Sequence, residues 1–279
     1  DQVFVVDRDF NYLGSLLITS LLTEEPEQMV ETLINNDFSK PVSADTDEAE
    51  VALLFEQRNL ISAPVIDENN QLIGRITIDD VVDVILDQAE HSVMSMVGLD
   101  EDEDVFAPII QSSKRRSVWL GVNLVTAFIA VYFIGLFEAT LQQKIALAIL
   151  MPVVASMGGI AGTQTLIIVT RGIATGRVTT ANIKALINKE VAVSGLNGII
   201  WSIVIALITY YWFADLLLSL IIALAIITNL VVAAFSGAFL PLLLSKLKID
   251  PALAGGVILT TITDVIGFVA FLGLAALFI

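Results

Sequence analysis

Five long apolar stretches follow residue 114, running approximately Val118–Phe137, Ile145–Ile173, Val191–Phe213, Leu216–Leu244 and Ala252–Ile279. Crossing the hydrocarbon core of a bilayer takes about 20 such residues. Lipid offers no water to backbone N–H and C=O groups, so each stretch must close its own hydrogen bonds as a helix. The residue-by-residue alternation of a membrane barrel is absent. Residues 114–279 are therefore expected to form an all-α transmembrane domain of five spans set in the lipid bilayer.

The first part of the chain has the opposite character. Residues 1–113 hold 25 of the 30 Asp and Glu against only four Lys and Arg, a net −21, whereas residues 114–279 carry five acids and ten bases, a net +5. Such an acidic surface argues against nucleic acid as a partner. The absence of Cys removes any disulfide framework or thiolate metal site. Basic residues near span ends mark the cytoplasmic side. With the acidic half inside, Lys114, Arg115, Arg116, Arg171, Arg177, Lys184, Lys189, Lys246 and Lys248 are all cytoplasmic and Lys144 alone is outside. This predicts a multi-pass protein of the inner or plasma membrane, its N-terminal module cytoplasmic and its C-terminus outside.

The acidic half contains a repeat. Val3–Asp7, Leu13-Gly14 and Leu16–Ile18 recur sixty residues later as Ala63–Asp67, Ile73-Gly74 and Ile76–Ile78. Each copy reads as strand, turn, strand, helix. These segments resemble a pair of CBS modules, an α/β fold, over residues 1–87. The second copy is complete from Lys40, with a helix near Asp47–Arg58; the first lacks its opening strand and helix, so residues upstream of Asp1 are expected. CBS pairs often bind adenine nucleotides, and Gly74-x-x-Thr77-x-x-Asp80 matches the ribose-contact pattern of that family. The resemblance thus implies ATP as a ligand at Thr77 and Asp80. The alternative role for Asp80 is that of an acid at a helix N-terminus.

Asp83, Asp87 and Glu90 follow on one helical face, and Asp100–Asp104 is an unbroken acidic run. Residues 88–113 are expected to be an acidic, plug-like connecting helix. Carboxylate oxygens suit hard divalent cations; a solvated, self-repelling surface is the other reading. No EF-hand spacing is present.

Within the spans one ionisable residue stands near mid-membrane. Asp264 follows Thr260 and Thr261 and precedes Gly267, which together make a small polar face. A carboxylate at that depth is costly and by default functional; the alternative is a protonated Asp bonded to another helix. Span 2 carries Pro152 and the cluster Gly158, Gly159, Gly162, Thr163 and Gln164, which admits close backbone approach to an ion path or to another helix. Asn197 and Asn229 are candidate interhelical hydrogen-bond partners. His91 is the only His, and no nucleophile–base set is present, so no enzymatic activity is expected.

The whole arrangement resembles the MgtE family of Mg²⁺ channels. The specific segments are Gly158-Gly159-x-x-Gly162-x-Gln164 with Thr170-Arg171 through Gly176 following, and Asp250-Pro251-Ala252 leading to Thr261-x-x-Asp264-x-x-Gly267. The resemblance implies a homodimer with a pore on its axis, lined by spans 2 and 5, and Asp264 of each subunit holding hydrated Mg²⁺. It also implies closure by cytoplasmic Mg²⁺ on acids such as Asp79, Asp83, Asp87, Glu90 and Asp250. The family usually has Asn where this chain has Ile160 and Thr163. Two other readings remain open: transport of Mn²⁺ or Co²⁺ on the same fold, and a nucleotide-sensing CBS membrane protein without a pore.

Overall fold

The sixty-residue repeat is written into the backbone hydrogen bonds. In the computed structural model, which describes residues 2–25, 27–34, 40–95, 99, 106–179 and 181–279, β1 (Gln2–Val6) pairs with β2 (Tyr12–Leu17). Likewise β4 (Ser62–Ile66) pairs with β5 (Leu72–Thr77). Both hairpins are antiparallel and carry the same register, Gln2 against Leu17 and Ser62 against Thr77, each with an irregularity before its last pair. Their turns match as well. Asp7 Oδ1 accepts from the N–H groups of Asp9 and Asn11, and Asp67 Oδ1 accepts from those of Asn69 and Gln71.

The two turns bind each other reciprocally. Tyr12 N–H donates to Asn70 O at 2.9 Å, and Leu72 N–H donates to Phe10 O at 2.9 Å. Shifting either bond by sixty residues gives the other, which makes the hairpin pair locally two-fold symmetric. Phe10 and Asn70 share the same left-handed backbone, φ 64°. Asn tolerates that region readily, whereas a bulky residue there is strained.

The second copy closes a core. A short β3 (Val42–Ser43) runs parallel to β4, and α3 (Glu48–Arg58) lays Val51, Ala52 and Phe55 over Val42, Ala63 and Val81. Asp47 caps α3 through Ala49 N–H, and Asn59 ends it in the left-handed conformation. Among its described residues the first copy has the short helices α1 (Ile18–Thr23) and α2 (Val30–Leu33), neither of which buries a residue. Leu22 there is 80% exposed.

From β5 the chain enters α4 (Ile78–Ser95) without a break. The first compact unit ends at His91 and the second begins at Ser92. The helix therefore runs past residue 87, because helical hydrogen bonds propagate through a change of composition. The Asp100–Asp104 run lies outside the described residues.

The second unit holds α5 (Ile109–Gly135), the short α6 (Glu138–Gln143), α7 (Ile145–Ala174), α8 (Ile183–Phe213), α9 (Leu216–Lys246) and α10 (Pro251–Phe278). The five long helices among these are long and apolar enough to cross a membrane. Two begin earlier than hydropathy predicts, α5 at Ile109 and α8 at Ile183, since the charged Lys114, Arg115 and Arg116, and Lys184, Lys189 and Glu190, are helical too. α9 is the hub: α7, α8 and α10 all pack along it, while α8 scarcely meets α7. The core joins Leu147, Leu150 and Val154 of α7, Leu218, Ile222 and Ile226 of α9, and Phe271 and Leu272 of α10. α5 rests on α10 and buries only Ala130.

Candidate functional site

Asp264 is the fourteenth of the 28 residues of α10, at the middle of the helix. It is half-buried, and among the described residues no hydrogen bond or ion pair reaches its carboxylate. The neighbouring hydroxyls are turned onto their own helix. Thr260 Oγ donates to Gly256 O and Val257 O at 3.1 and 3.0 Å, and Thr261 Oγ donates to Val257 O at 2.7 Å. A hydroxyl has one proton to give and two lone pairs to offer. Spending both protons on the backbone leaves oxygen acceptors beside Asp264, a set that suits a cation or its bound waters.

The depth of Asp264 relative to α7 follows from three close approaches. A methyl added to Gly255 would stand 2.9 Å from Leu166, one on Gly267 would stand 3.2 Å from Val154, and one on Gly162 would stand 3.1 Å from Leu259. Each step of four residues along one helix is matched by four backward along the other. The helices are therefore antiparallel in constant register, with Thr263 level with Gly158 and Asp264 one residue further on. Thr263 is fully buried, its hydroxyl on Thr260 O at 3.0 Å.

This register divides the glycine motif of α7 between two faces. Gly158 and Gly162 are buried and turned to neighbouring helices, Gly158 onto Asn229 and Gly162 onto Leu259. Gly159 has open space where a side chain would be, and Thr163 beside it is half-buried. Pro152, Ser156, Ile160 and Gln164 form an exposed stripe at four-residue spacing. Close helix packing describes the first two glycines; Gly159, Thr163 and Gln164 lie on or beside the open face.

Asn229 of α9 ties the two helices together. Its amide donates to Val154 O at 2.9 Å, and Gly158 and Gly267 make room for it on either side. Its Oδ1 is buried without a hydrogen-bond partner. Asn197 is exposed and makes no such bond among the described residues.

In the first unit, Asp79, Asp83, Asp87 and Glu90 are exposed along α4. Asp80 Oδ2 accepts from both the N–H and the hydroxyl of Thr77 at 2.9 Å, which caps the start of α4. Asp250 immediately precedes α10, whose first residue is Pro251. Among the described residues of one chain, no three His, Cys, Asp or Glu gather closely enough to hold a metal ion.

Two charged features escaped the hydropathy reading. Glu190 is buried in α8 and pairs with Lys189 at 3.2 Å. Lys144 pairs with Asp215, which also caps α9 through Leu218 N–H at 3.0 Å. That backbone bond, followed by the one from Lys144, holds the Asp215 carboxyl below its ordinary range. The partners are 71 residues apart, so no local pattern announces the pair.

Residues 151–274 match the MgtE family model, described as a divalent cation transporter, and residues 36–87 match the CBS domain. The chain is similar to the magnesium transporter MgtE of Bacillus subtilis, 33% identical over all of this chain and 62% of that protein. It is also similar to the magnesium transporter MgtE of Enterococcus faecalis, 27% identical over 99% of this chain and 60% of that one. The chain thus spans about 60% of the length of these curated relatives. A solved cytosolic domain of the Mg²⁺ channel MgtE in complex with ATP is 35% identical over 30% of this chain and 33% of that chain, with a TM-score of 0.29.

Proposed function

We infer that this chain, with an MgtE-family domain over residues 151–274 and a CBS domain over residues 36–87, passes Mg²⁺ across a membrane and is closed by Mg²⁺ on its acidic module. The observation that carries the reading is the half-buried, unpartnered carboxylate of Asp264 at the middle of a spanning helix. An ion in transit would give that carboxylate the partner the fold withholds.

Mg²⁺ prefers six oxygens in octahedral order and keeps several of its waters. One Asp with acceptor hydroxyls is too little for it. Two chains about a two-fold axis bring two copies of Asp264, with the open stripes of α7 beside them. The ion then moves through a homodimeric pore as a hydrated cation. The same oxygen chemistry would pass Mn²⁺ or Co²⁺, and ion competition in a flux assay separates them. The acidic module lies in the cytoplasm, and Asp79, Asp83, Asp87, Glu90 and Asp250 are the candidate ligands of regulatory Mg²⁺. ATP at Thr77 and Asp80 is a subsidiary reading, tested by titrating the chain with the nucleotide.

The deciding experiment is Mg²⁺ uptake by proteoliposomes. Asp264→Ala abolishes flux while leaving folded protein in the membrane, and Asp264→Asn reduces it strongly. Parental flux through Asp264→Ala would sink the reading.

A further inference from the structure

The described residues between α7 and α8 form a tight, hydrogen-bonded turn. α7 ends with Thr175 and Gly176 N–H groups bonded back to Arg171 O and Ile173 O, and Gly176 takes φ 63°. This is a glycine-terminated helix end. The chain then returns on itself, Val178 N–H bonding Gly172 O at 2.9 Å. A methyl on Gly172 would stand 2.5 Å from the Val178 side chain. Asn182 locks the turn, donating to Arg177 O at 2.7 Å and accepting from Thr179 N–H at 2.9 Å. Both glycines and the asparagine of this segment are thus explained by the turn itself. Arg171 and Arg177 are not.

These two residues line a cavity of about 520 Å³ between the end of α7 and the start of α8. The cavity exists because α8 packs on α9 and leaves α7 almost untouched. Arg171, Arg177 and Lys189 supply its charge; Ile168, Val178 and Leu186 supply an apolar wall. Lys189 is shared with Glu190. Among the described residues neither arginine is paired with a carboxylate. Ile168, nearest the membrane interior of these, is 49% exposed.

We propose that this cleft binds the phosphate of an anionic lipid headgroup, Arg171 and Arg177 holding the phosphate oxygens and the Ile168 side receiving the acyl chains. Guanidinium groups suit phosphate because their N–H groups match its oxygens in pairs. Basic clefts between spans at the membrane rim take such headgroups. The apolar wall favours a lipid over free phosphate, which gains nothing from it. The proposal is independent of whether the chain conducts ions.

The test is native mass spectrometry of the full chain in detergent, titrated with dioleoyl-phosphatidylglycerol or dioleoyl-phosphatidylcholine. The parent prefers phosphatidylglycerol. Each basic residue near a charged lipid surface is worth a factor of about five, so R171Q/R177Q weakens phosphatidylglycerol binding about twenty-five-fold. K246Q/K248Q, which removes two charges outside the cleft, leaves it unchanged, and R171K/R177K, which keeps the charge but not the paired N–H groups, falls between the parent and R171Q/R177Q. The proposal is overturned if R171Q/R177Q binds like the parent or if K246Q/K248Q loses as much. Displacement of the lipid by millimolar inorganic phosphate would overturn it too, by making the cleft a free-phosphate site.

Discussion

The side-chain amide of Asn229 donates to the carbonyl oxygen of Val154 across 2.9 Å, joining the fourth span to the second. Gly158 lies one turn along from Val154, and Gly267, three residues beyond Asp264, abuts the same amide at 2.6 Å for an added methyl. Asp264 and the glycine motif of α7 are therefore held at one depth by a residue that belongs to neither helix. A buried hydrogen bond of this kind contributes about 1 kcal/mol net, whereas stranding a buried polar partner costs about 1–3 kcal/mol.

Gly158→Ala places a methyl on top of the Asn229 amide. Overpacking of that sort destabilises by about 1–3 kcal/mol. Thermal unfolding in detergent should show the loss. Asn229→Ala removes the obstacle, so the double variant is expected to be less destabilised than the two singles added together. Strict additivity would show that the two residues do not share one site.

Dimeric assembly about α10 has a clean test, because the chain contains no Cys. Thr260→Cys should cross-link to its counterpart under mild oxidation, giving a species of twice the chain mass. Parental flux from a preparation shown to be monomeric by light scattering would refute the dimeric pore.

Asp83→Asn with Asp87→Asn removes two exposed carboxylates from each α4. If Mg²⁺ closes the pore by cancelling repulsion between acidic modules, each ion shifts the balance only by its preference for the closed state. Swinging a population from 1:99 to 99:1 takes about 5.5 kcal/mol, a total that several weak sites supply together. The double variant should stay open at Mg²⁺ concentrations that shut the parent, read as single-channel open probability against Mg²⁺ added to each face in turn. Closure at the parental concentration would make these carboxylates a solvated surface.

Asp215 carries both a helix cap and the pair with Lys144. Its folded pKa is depressed, so its stabilising contribution is complete above the unfolded value of about 3.9 and disappears as pH falls through the folded value. Asp215→Asn keeps a capping oxygen and loses the charge, and its stability should vary less over that acidic range. Asp215→Ala loses the cap as well, at about 1 kcal/mol. Equal melting temperatures for the two variants at neutral pH would show that the cap contributes nothing.

The repeat was legible because it preserves spacing: Asp7 to Gly14 equals Asp67 to Gly74, and the strand registers and turn bonds follow the same interval. Phe10 shows what spacing hides, since only the backbone reveals a bulky residue in the conformation that Asn70 occupies with ease. The five spans were legible from length and hydropathy, and Asp264 from being charged among apolar neighbours. Which glycine of α7 faces which helix was not. A span apolar on every side gives no periodicity from which to read a face. The divergence between Gly158 and Gly159 arises from a partner 71 positions away from the first of them, Asn229. Lys144 and Asp215 are hidden for the same reason, each lying at a span end where a lone charge is unremarkable.

The bond from Asn229 to Val154 also sets a schedule for biosynthesis. The two residues are separated by 75 positions, so at about 5–20 residues per second the ribosome delivers Asn229 roughly 4–15 seconds after Val154. Gly267 and Leu259 of α10 follow later still. During that interval the second span sits in the bilayer with Gly158, Gly162 and their apolar neighbours facing lipid alone. Spans that insert singly and associate afterwards must each be at home in hydrocarbon on their own. A helix obliged to wait for its partners has to be apolar on the side it will eventually bury, as α7 is at Leu147, Leu150, Val154, Leu166 and Val169.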